Sequence, residues 1–221
     1  MNLKLKFKEY RFIRFLVYKF RYFFEKKGYI IGKKNAICNH GIKIASCFCI
    51  KGNYNSILID ENVLLINCLI KVNGNNNVIH LKKKSYLEGG TFFIEDNNCS
   101  IIIGENTFIG QSHIAVTENN SSIIIGDDCM LSSNINIRTG DSHSIIDIEK
   151  KSRINYAQNI SIGNHCWIGE GAKILKGVIL DENVIVATGA IVTSGFPNNV
   201  LIGGNPAKIL KENVTWNKNR I

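Results

Sequence analysis

The residues of this chain best suited to chemistry lie in "RTGDSHSI", Arg138 to Ile145. His143 stands there between two serines and two residues after Asp141, with apolar periodic sequence on both sides. Histidine has the proton affinity that general-base work near neutral pH requires, and a positioned base typically contributes ~10²–10⁴-fold to a rate. Taking the proton of a hydroxyl that attacks an electrophilic centre is one such task, and where an oxyanion develops it also needs donors. Ser144 or a nearby backbone N–H can supply that contact; the sequence does not choose between them. Asp141 or Ser142 can orient the ring, as partners of catalytic bases do elsewhere, and Asp141 can equally be a plain turn former. Arg138 and Arg153 flank the turn and can hold a carboxylate through a two-pronged hydrogen bond, although surface arginines often have no such partner.

The other histidines read differently. His80 and His113 fall where an inward, hydrogen-bonded imidazole is expected, and His165 three residues after Ile162, pointing outward. Gaps of 40, 33, 30 and 22 between the five histidines do not make a metal-ligand set, so no metal is expected. Trp167 interrupts small and aliphatic neighbours. An indole there suits the wall of a slot, or an aromatic at a subunit interface, better than the inside of a narrow coil.

The scaffold behind these residues is a repeat. Asn55, Asn77, Asn98 and Asn120, each the last Asn of a polar cluster before a β-prone run, are 22, 21 and 22 residues apart. A six-residue period continues it: Ile162, Ile168, Ile174, Leu180, Val186 and Val192, with Cys166, Ala172, Val178, Val184, Ala190 and Phe196 four residues after each. Ile103 and Ile109, then Ile125, Leu131 and Ile137, keep that spacing. Six fits a short strand plus a turn, and three units close a triangular coil of ~18 residues in the hexapeptide β-helix class. Each coil buries its inward side chains on its neighbours, and stacked Asn at the corners would satisfy turning backbone. His143 lies where this pattern lapses, between Ile137 and Ile162.

"FKEYRFIRFLVYKFRYFFEKKGY" reads instead as a helix, with Tyr10, Ile13, Val17, Phe20 and Phe24 on one face and Gly28 as its stop. Nine basic groups from Lys4 to Lys27 face only Glu9 and Glu25, so most of the net charge of +9 is here and the body is nearly balanced. This excludes a nucleic-acid partner argued from pI alone. The helix is too charged to span a bilayer but can lie on an anionic inner-membrane surface or pack on the protein itself. Seven cysteines without a cleavable signal pattern suggest reduced thiols in a cytoplasmic protein, peripheral on the membrane at most. The organisation expected is a helix over 1–30, a β-helix over 31–205 and a tail over 206–221.

"SIGNHCWIGEGAKILKGVILDENVIVATGAIVTSGFPNNVLIGGNPAKIL", Ser161 to Leu210, resembles the C-terminal signature of the hexapeptide-repeat acyltransferases. "RTGDSHSI" followed by "RINYAQNISIGNHCWIG" is similar to the O-acetyltransferases of sialic acid and other capsular sugars, which pair a histidine in such a turn with a tryptophan in W-I-G. The resemblance implies a left-handed parallel β-helix, a homotrimer, and acyl transfer from acetyl-CoA to a sugar hydroxyl. It implies His143 as the base and Trp167 beside the acetyl group and acceptor. Coenzyme A would lie along the C-terminal coils, against backbone at Gly189 and Ala190 and the loop Gly204, Asn205 and Pro206, with Lys208 at a phosphate. Arg138 and Arg153 would then meet an acidic sugar. No Cys or Ser stands with a second base as a nucleophile, so transfer would be direct. The alternatives are an N-acyltransferase on a nucleotide-linked amino sugar and a non-enzymatic, membrane-associated trimeric scaffold. The coils before Asn98 depart most from hexapeptide register, and the acceptor is least determined there.

Overall fold

Short β-prone runs broken by Asn, Gly and Asp become strands that pair in parallel with the next coil rather than with their chain neighbours. The computed structural model describes residues 27–220. Among them are 24 strands, most of which pair in parallel to form a β-solenoid with three faces. The first face is a seven-stranded sheet, one strand per coil: Ala36–Asn39, Ser56–Ile59, Val78–Leu81, Ser100–Ile103, Ser122–Ile125, Ile160–Ile162 and Ile179–Leu180. The second carries Phe108–Ile109, Met130–Leu131, Trp167–Ile168, Ile185–Val186 and Val200–Gly204. The third carries Ser112–Val116, Ile135–Arg138, Lys173–Ile174 and Ile191–Val192. In the N-terminal coils the strands Leu64–Asn73 and Tyr86–Glu95 run through both of the latter faces, bending at Asn67 and Gly89, whose φ values are +53° and +82°.

Every six-residue position from Ile162 to Val192 is buried, as are Ile103, Ile109, Ile125, Leu131 and Ile137. Cys166, Ala172, Val178, Val184 and Ala190 are also buried, and Phe196 packs at the edge of the same core. Cys99, Cys129 and Cys166 join it as small hydrophobes whose thiols reach backbone carbonyls, at 3.1 Å from Cys129 to Gly163 for example.

The asparagines do stack, in a register different from the one expected. Asn53, Asn75, Asn97 and Asn119 form one ladder, each Nδ2 donating to the Oδ1 of the next coil at 2.8–3.1 Å. Asn35, Asn55 and Asn77 form a second, more buried one that ends on the Cys99 N–H. Asn98 belongs to a third column with Asn120, both at positive φ. From Asn53 to Asn119 the period is therefore a uniform 22; the apparent 21 compares residues of two columns.

Three further expectations change. A strand begins at Tyr29 (Tyr29–Ile31), so the solenoid starts inside the segment expected as helix; the rest of that helix lies outside the described residues. Gly28 makes the turn at φ +71°, where a Cβ would meet the Phe48 carbonyl at 2.9 Å. Residues after 205 are no detached tail, since Ala207–Glu212 pairs antiparallel with Val200–Gly204 and Trp216 is buried. His80 and His113 point out of the coil rather than in: each is half-buried between inward neighbours, and His80 bonds Asp60 at 3.1 Å. The extra corner residues of 22-residue coils move the inward position from 113 to Ile114.

Candidate active site

In the C-terminal coils the register advances by 18, as from Ile162 to Leu180, whereas Ile125 pairs with Ile162, 37 residues on. The extra chain projects where the third face turns into the first, between Arg138 and Ile160. It is an antiparallel hairpin, Ile146–Asp147 with Ser152–Arg153, entered through "TGDSHS". Gly140 is required at the entry because a Cβ would lie 2.5 Å from Thr117 Oγ1. Gln158 N–H closes the base on the Thr139 carbonyl at 3.0 Å.

One buried amide fixes this insertion. Asn155 Nδ2 donates to the His143 carbonyl at 2.7 Å and to the Asp141 carboxylate at 2.9 Å. Its Oδ1 accepts from Ile145 N–H at 2.7 Å and from Arg153 Nε at 3.1 Å. Neighbouring coils add charged clamps. Arg153 pairs bidentately with Glu118 of the preceding coil, and Lys176 of the following coil bonds the Asp141 carboxylate and the Asn155 carbonyl. The Lys176 ammonium is the main reason that the Asp141 carboxyl is held below the ordinary carboxylate range, against a smaller opposing push from burial; the Asn155 amide helps.

Between these anchors Ser142 adopts φ +65°, a left-handed conformation uncommon for a residue with a side chain. The bend leaves His143 exposed, its carbonyl held and its ring outward; Ser144 beside it is exposed too. Among the described residues Asp141 makes no hydrogen bond to the His143 ring; its Oδ2 bonds Lys176 and Asn155 instead. Arg153 likewise gives its guanidinium to Glu118 and Asn155, which makes it a brace of the loop rather than a carboxylate receptor. Arg138 is different: it is half-buried, its Nε is buried and unpaired, and it flanks His113 on the third face. Burial, with that guanidinium, holds the His113 imidazole below its ordinary value.

Trp167 lies outward on the second face, in register with Met130 and Ile185, and is 37% exposed. The Trp216 ring lies 6.1 Å from it and stacks on His165 at 4.6 Å. Trp216 Nε1 donates to the His165 carbonyl at 2.8 Å, while His165 Nδ1 bonds Asp128 at 2.7 Å and Lys218 pairs with the same carboxylate. His165 thus faces outward as expected and fastens the C-terminal segment beside Trp167. Within one chain His143 and Trp167 occupy different parts of the prism, a face edge and a separate face, and are not brought together.

Gly189 is exposed and opens onto free space, since a Cβ placed there would meet nothing within 4 Å, and its N–H donates to the Glu170 carbonyl at 2.8 Å. Ala190 has little to offer a ligand: its side chain is buried, its N–H donates to Ala187 and its carbonyl accepts from Lys173. Gly204, Asn205 and Pro206 form the exposed turn of the last hairpin, and Lys208 follows, exposed. Among the described residues no group of three His, Cys, Asp or Glu could hold a metal ion. Asn155, Glu118, Lys176 and Trp216 are the site residues that sequence reasoning missed. The doubled register between Ile125 and Ile162 was the available signal that an insertion needed polar anchors, but not which residues they were.

Known proteins share this architecture. The sequence profile described as "Bacterial transferase hexapeptide (six repeats)" matches residues 159–194, and "Hexapeptide repeat of succinyl-transferase" matches 100–138. The crystal structure of the polySia-specific acetyltransferase NeuO superposes with a TM-score of 0.81 at 30% identity, over 87% of this chain and 89% of that one. The polysialic acid O-acetyltransferase OatWY gives 0.82 at 31%, over 87% and 93%. This chain belongs to the hexapeptide-repeat acyltransferase family. A polysialic acid O-acetyltransferase of Escherichia coli O1:K1 / APEC is 38% identical over 88 residues, 40% of this acyltransferase-family chain. That stretch is 29% of the relative's length, so it relates the repeat segment and not the whole of the two proteins.

Proposed function

We propose that this chain is an acetyl-CoA-dependent O-acetyltransferase acting on a sugar hydroxyl of a bacterial capsular or surface polysaccharide. The observation that carries this is His143, exposed at the tip of a bent turn whose backbone is locked by Asn155, on a scaffold shared with two polysialic acid acetyltransferases. His143 takes the proton of the acceptor hydroxyl as its oxygen attacks the thioester carbonyl. The tetrahedral oxyanion collapses, the carbon–sulfur bond breaks, and the imidazolium returns the proton to the departing thiolate. Ser144 or a turn N–H donates to the oxyanion. Trp167 walls the acetyl slot. Coenzyme A lies along the last coils, with Gly189 allowing close approach, the Gly204–Asn205–Pro206 turn at its far end and Lys208 at a phosphate.

Because His143 and Trp167 stand apart on one prism, the working site joins His143 of one copy to Trp167 of another. A closed homotrimer provides that, its contacts including the exposed Ile145, Ile146, Ile148 and Ile154 of the insertion. The basic leader, residues 1–27, holds the protein at the inner membrane face, where a cytoplasmic enzyme would meet a nascent surface glycan.

The test is acetyl transfer from acetyl-CoA to a panel of sialylated and neutral oligosaccharides, read by mass spectrometry beside His143→Ala. A base-labile acetyl ester, lost by ~10²-fold or more in the variant, is expected. A base-stable amide on an amino sugar would make the chain an N-acyltransferase instead. No transfer to any acceptor, or an unaffected variant, would refute the proposed chemistry.

A further inference from the structure

The second face carries a column of side chains that extends from Trp167 into coils the transfer chemistry does not use. Strand register places Tyr86, Phe108, Met130 and Trp167 in one outward column, one side chain per coil. The Tyr86 and Phe108 rings meet edge to face at 5.3 Å. Coils repeat every ~4.8 Å, so Phe108 stands ~10 Å along the axis from Trp167.

Beside this column, at the corner between the second and third faces, runs an open groove of about 600 Å³. Gly89 and Gly90 line it at positive φ, and Gly110 adds a third residue without a side chain. Its functional groups are the Asn67 and Gln111 amides, the Ser132 and Ser133 hydroxyls, the Glu88 carboxylate and the Phe108 ring. Among the described residues the side chains of Asn67, Gln111, Ser132 and Ser133 are not engaged in hydrogen bonds, so their polar atoms can serve a ligand. Glu88 accepts from the Tyr86 hydroxyl at 3.0 Å and, among the described residues, is the one ionisable side chain of the lining.

We propose that this column and groove form a track for an extended glycan, with an uncharged pyranose unit held at Phe108, two coils before the acetylated unit at Trp167. The proposal rests on the O-acetyltransferase reading for its acceptor but not for its chemistry. A pyranose offers an apolar C–H face, which an aromatic ring covers, and a rim of hydroxyls. Amides and serine hydroxyls satisfy such a rim as both donors and acceptors, and a carboxylate accepts from two adjacent hydroxyls. A sialic acid carboxylate at this place would meet Glu88, with no cation among the described lining residues to offset it. The distance from Phe108 to Trp167 is one that a short oligosaccharide spans and a monosaccharide does not.

The experiment measures KM for acetyl transfer to neutral hexose oligosaccharides of increasing length and to sialyl oligomers of the same lengths. Wild type would be compared with Gln111→Ala and Phe108→Leu, with assembly size followed by light scattering. For neutral acceptors KM should fall about tenfold from the monosaccharide to the tetrasaccharide, the weight of one or two net hydrogen bonds, and either substitution should flatten the trend. A KM independent of length, or a length effect confined to sialyl oligomers, overturns the proposal. So does loss of the assembled state in both variants, which would make the column a subunit contact. If no acceptor is acetylated, binding of a neutral tetrasaccharide is read by saturation-transfer NMR on the wild type and Gln111→Ala. Binding lost in the variant retains the track although the transferase reading has failed, and absence of binding removes it.

Discussion

Asn155→Ala is the most direct probe of how the solenoid presents His143. The wild-type amide makes four hydrogen bonds, to His143, Asp141, Ile145 and Arg153, and is only 6% exposed. At ~0.5–1.5 kcal/mol net per bond the total would be ~2–6 kcal/mol. Two considerations favour the lower half. The Asp141 side chain is 41% exposed and can bind water instead, and Arg153 keeps Glu118. A loss of ~2–3 kcal/mol shifts the balance between the fixed and the released turn ~30–150-fold. Release is local, because the hairpin projects from a core that Asn155 does not join, so the melting temperature should move by only a few degrees. The expected result is therefore a kcat lowered by one to two orders of magnitude, with KM for acetyl-CoA little changed and a native circular dichroism spectrum. Asn155→Asp sharpens the test: it keeps the shape and the acceptor for Ile145 and Arg153, but loses both donors and faces Asp141 with like charge. It should be as damaging as the alanine. A kcat within threefold of wild type in both variants, or wholesale unfolding of the solenoid, would refute the positioning role.

Two further outcomes follow from the same structure. Asn77→Ala removes a buried amide that donates to the Asp96 carbonyl at 2.9 Å and accepts from Cys99 N–H at 2.8 Å. Leaving both groups unpaired should cost ~2–4 kcal/mol, seen as a thermal midpoint lower by ~5–15 °C, whereas Asn119→Ala at the exposed end of the first ladder should cost no more than ~1 kcal/mol. His113 contributes to pH dependence. Its folded proton affinity lies below the ordinary value of 6.5, so below that pH the unfolded chain binds more protons and stability falls. Urea midpoints of wild type should therefore drop more than those of His113→Gln between pH 8 and pH 5; equal slopes would show that Arg138 and burial do not act on this ring as described.

Much of this was legible in the linear chain. The six-residue period from Ile162 to Val192 marked the inward positions correctly, because a hexapeptide coil repeats the same backbone path and a residue's orientation then depends only on its place in the count. His113 shows where counting fails: the 22-residue coils carry extra corner residues, and the position four after Ile109 becomes an outward one. Asn98 resembles Asn77 in ending an Asn cluster, yet the ladder bonds pair Asn77 with Cys99. Composition identifies a polar corner; only hydrogen-bond register says which residue occupies which column.

The sequence by itself determined the solenoid, its buried six-residue positions and the place where the repeat breaks to expose His143. Those follow from local periodicity, a property of neighbouring residues along the chain. Tertiary structure alone decided that Asn155 and not Asp141 organises the turn, that Arg153 is bound to Glu118, and that Lys176 reaches Asp141 from the next coil. It also decided that Trp216 closes over His165 beside Trp167, and that Phe108 lines up with Trp167. These partners are from 14 to 59 residues apart, as in Asn155 with Asp141 and Phe108 with Trp167. Stacking whole coils brings them together, and no spacing rule within a single coil can express a contact that depends on the length of the insertion between two of them.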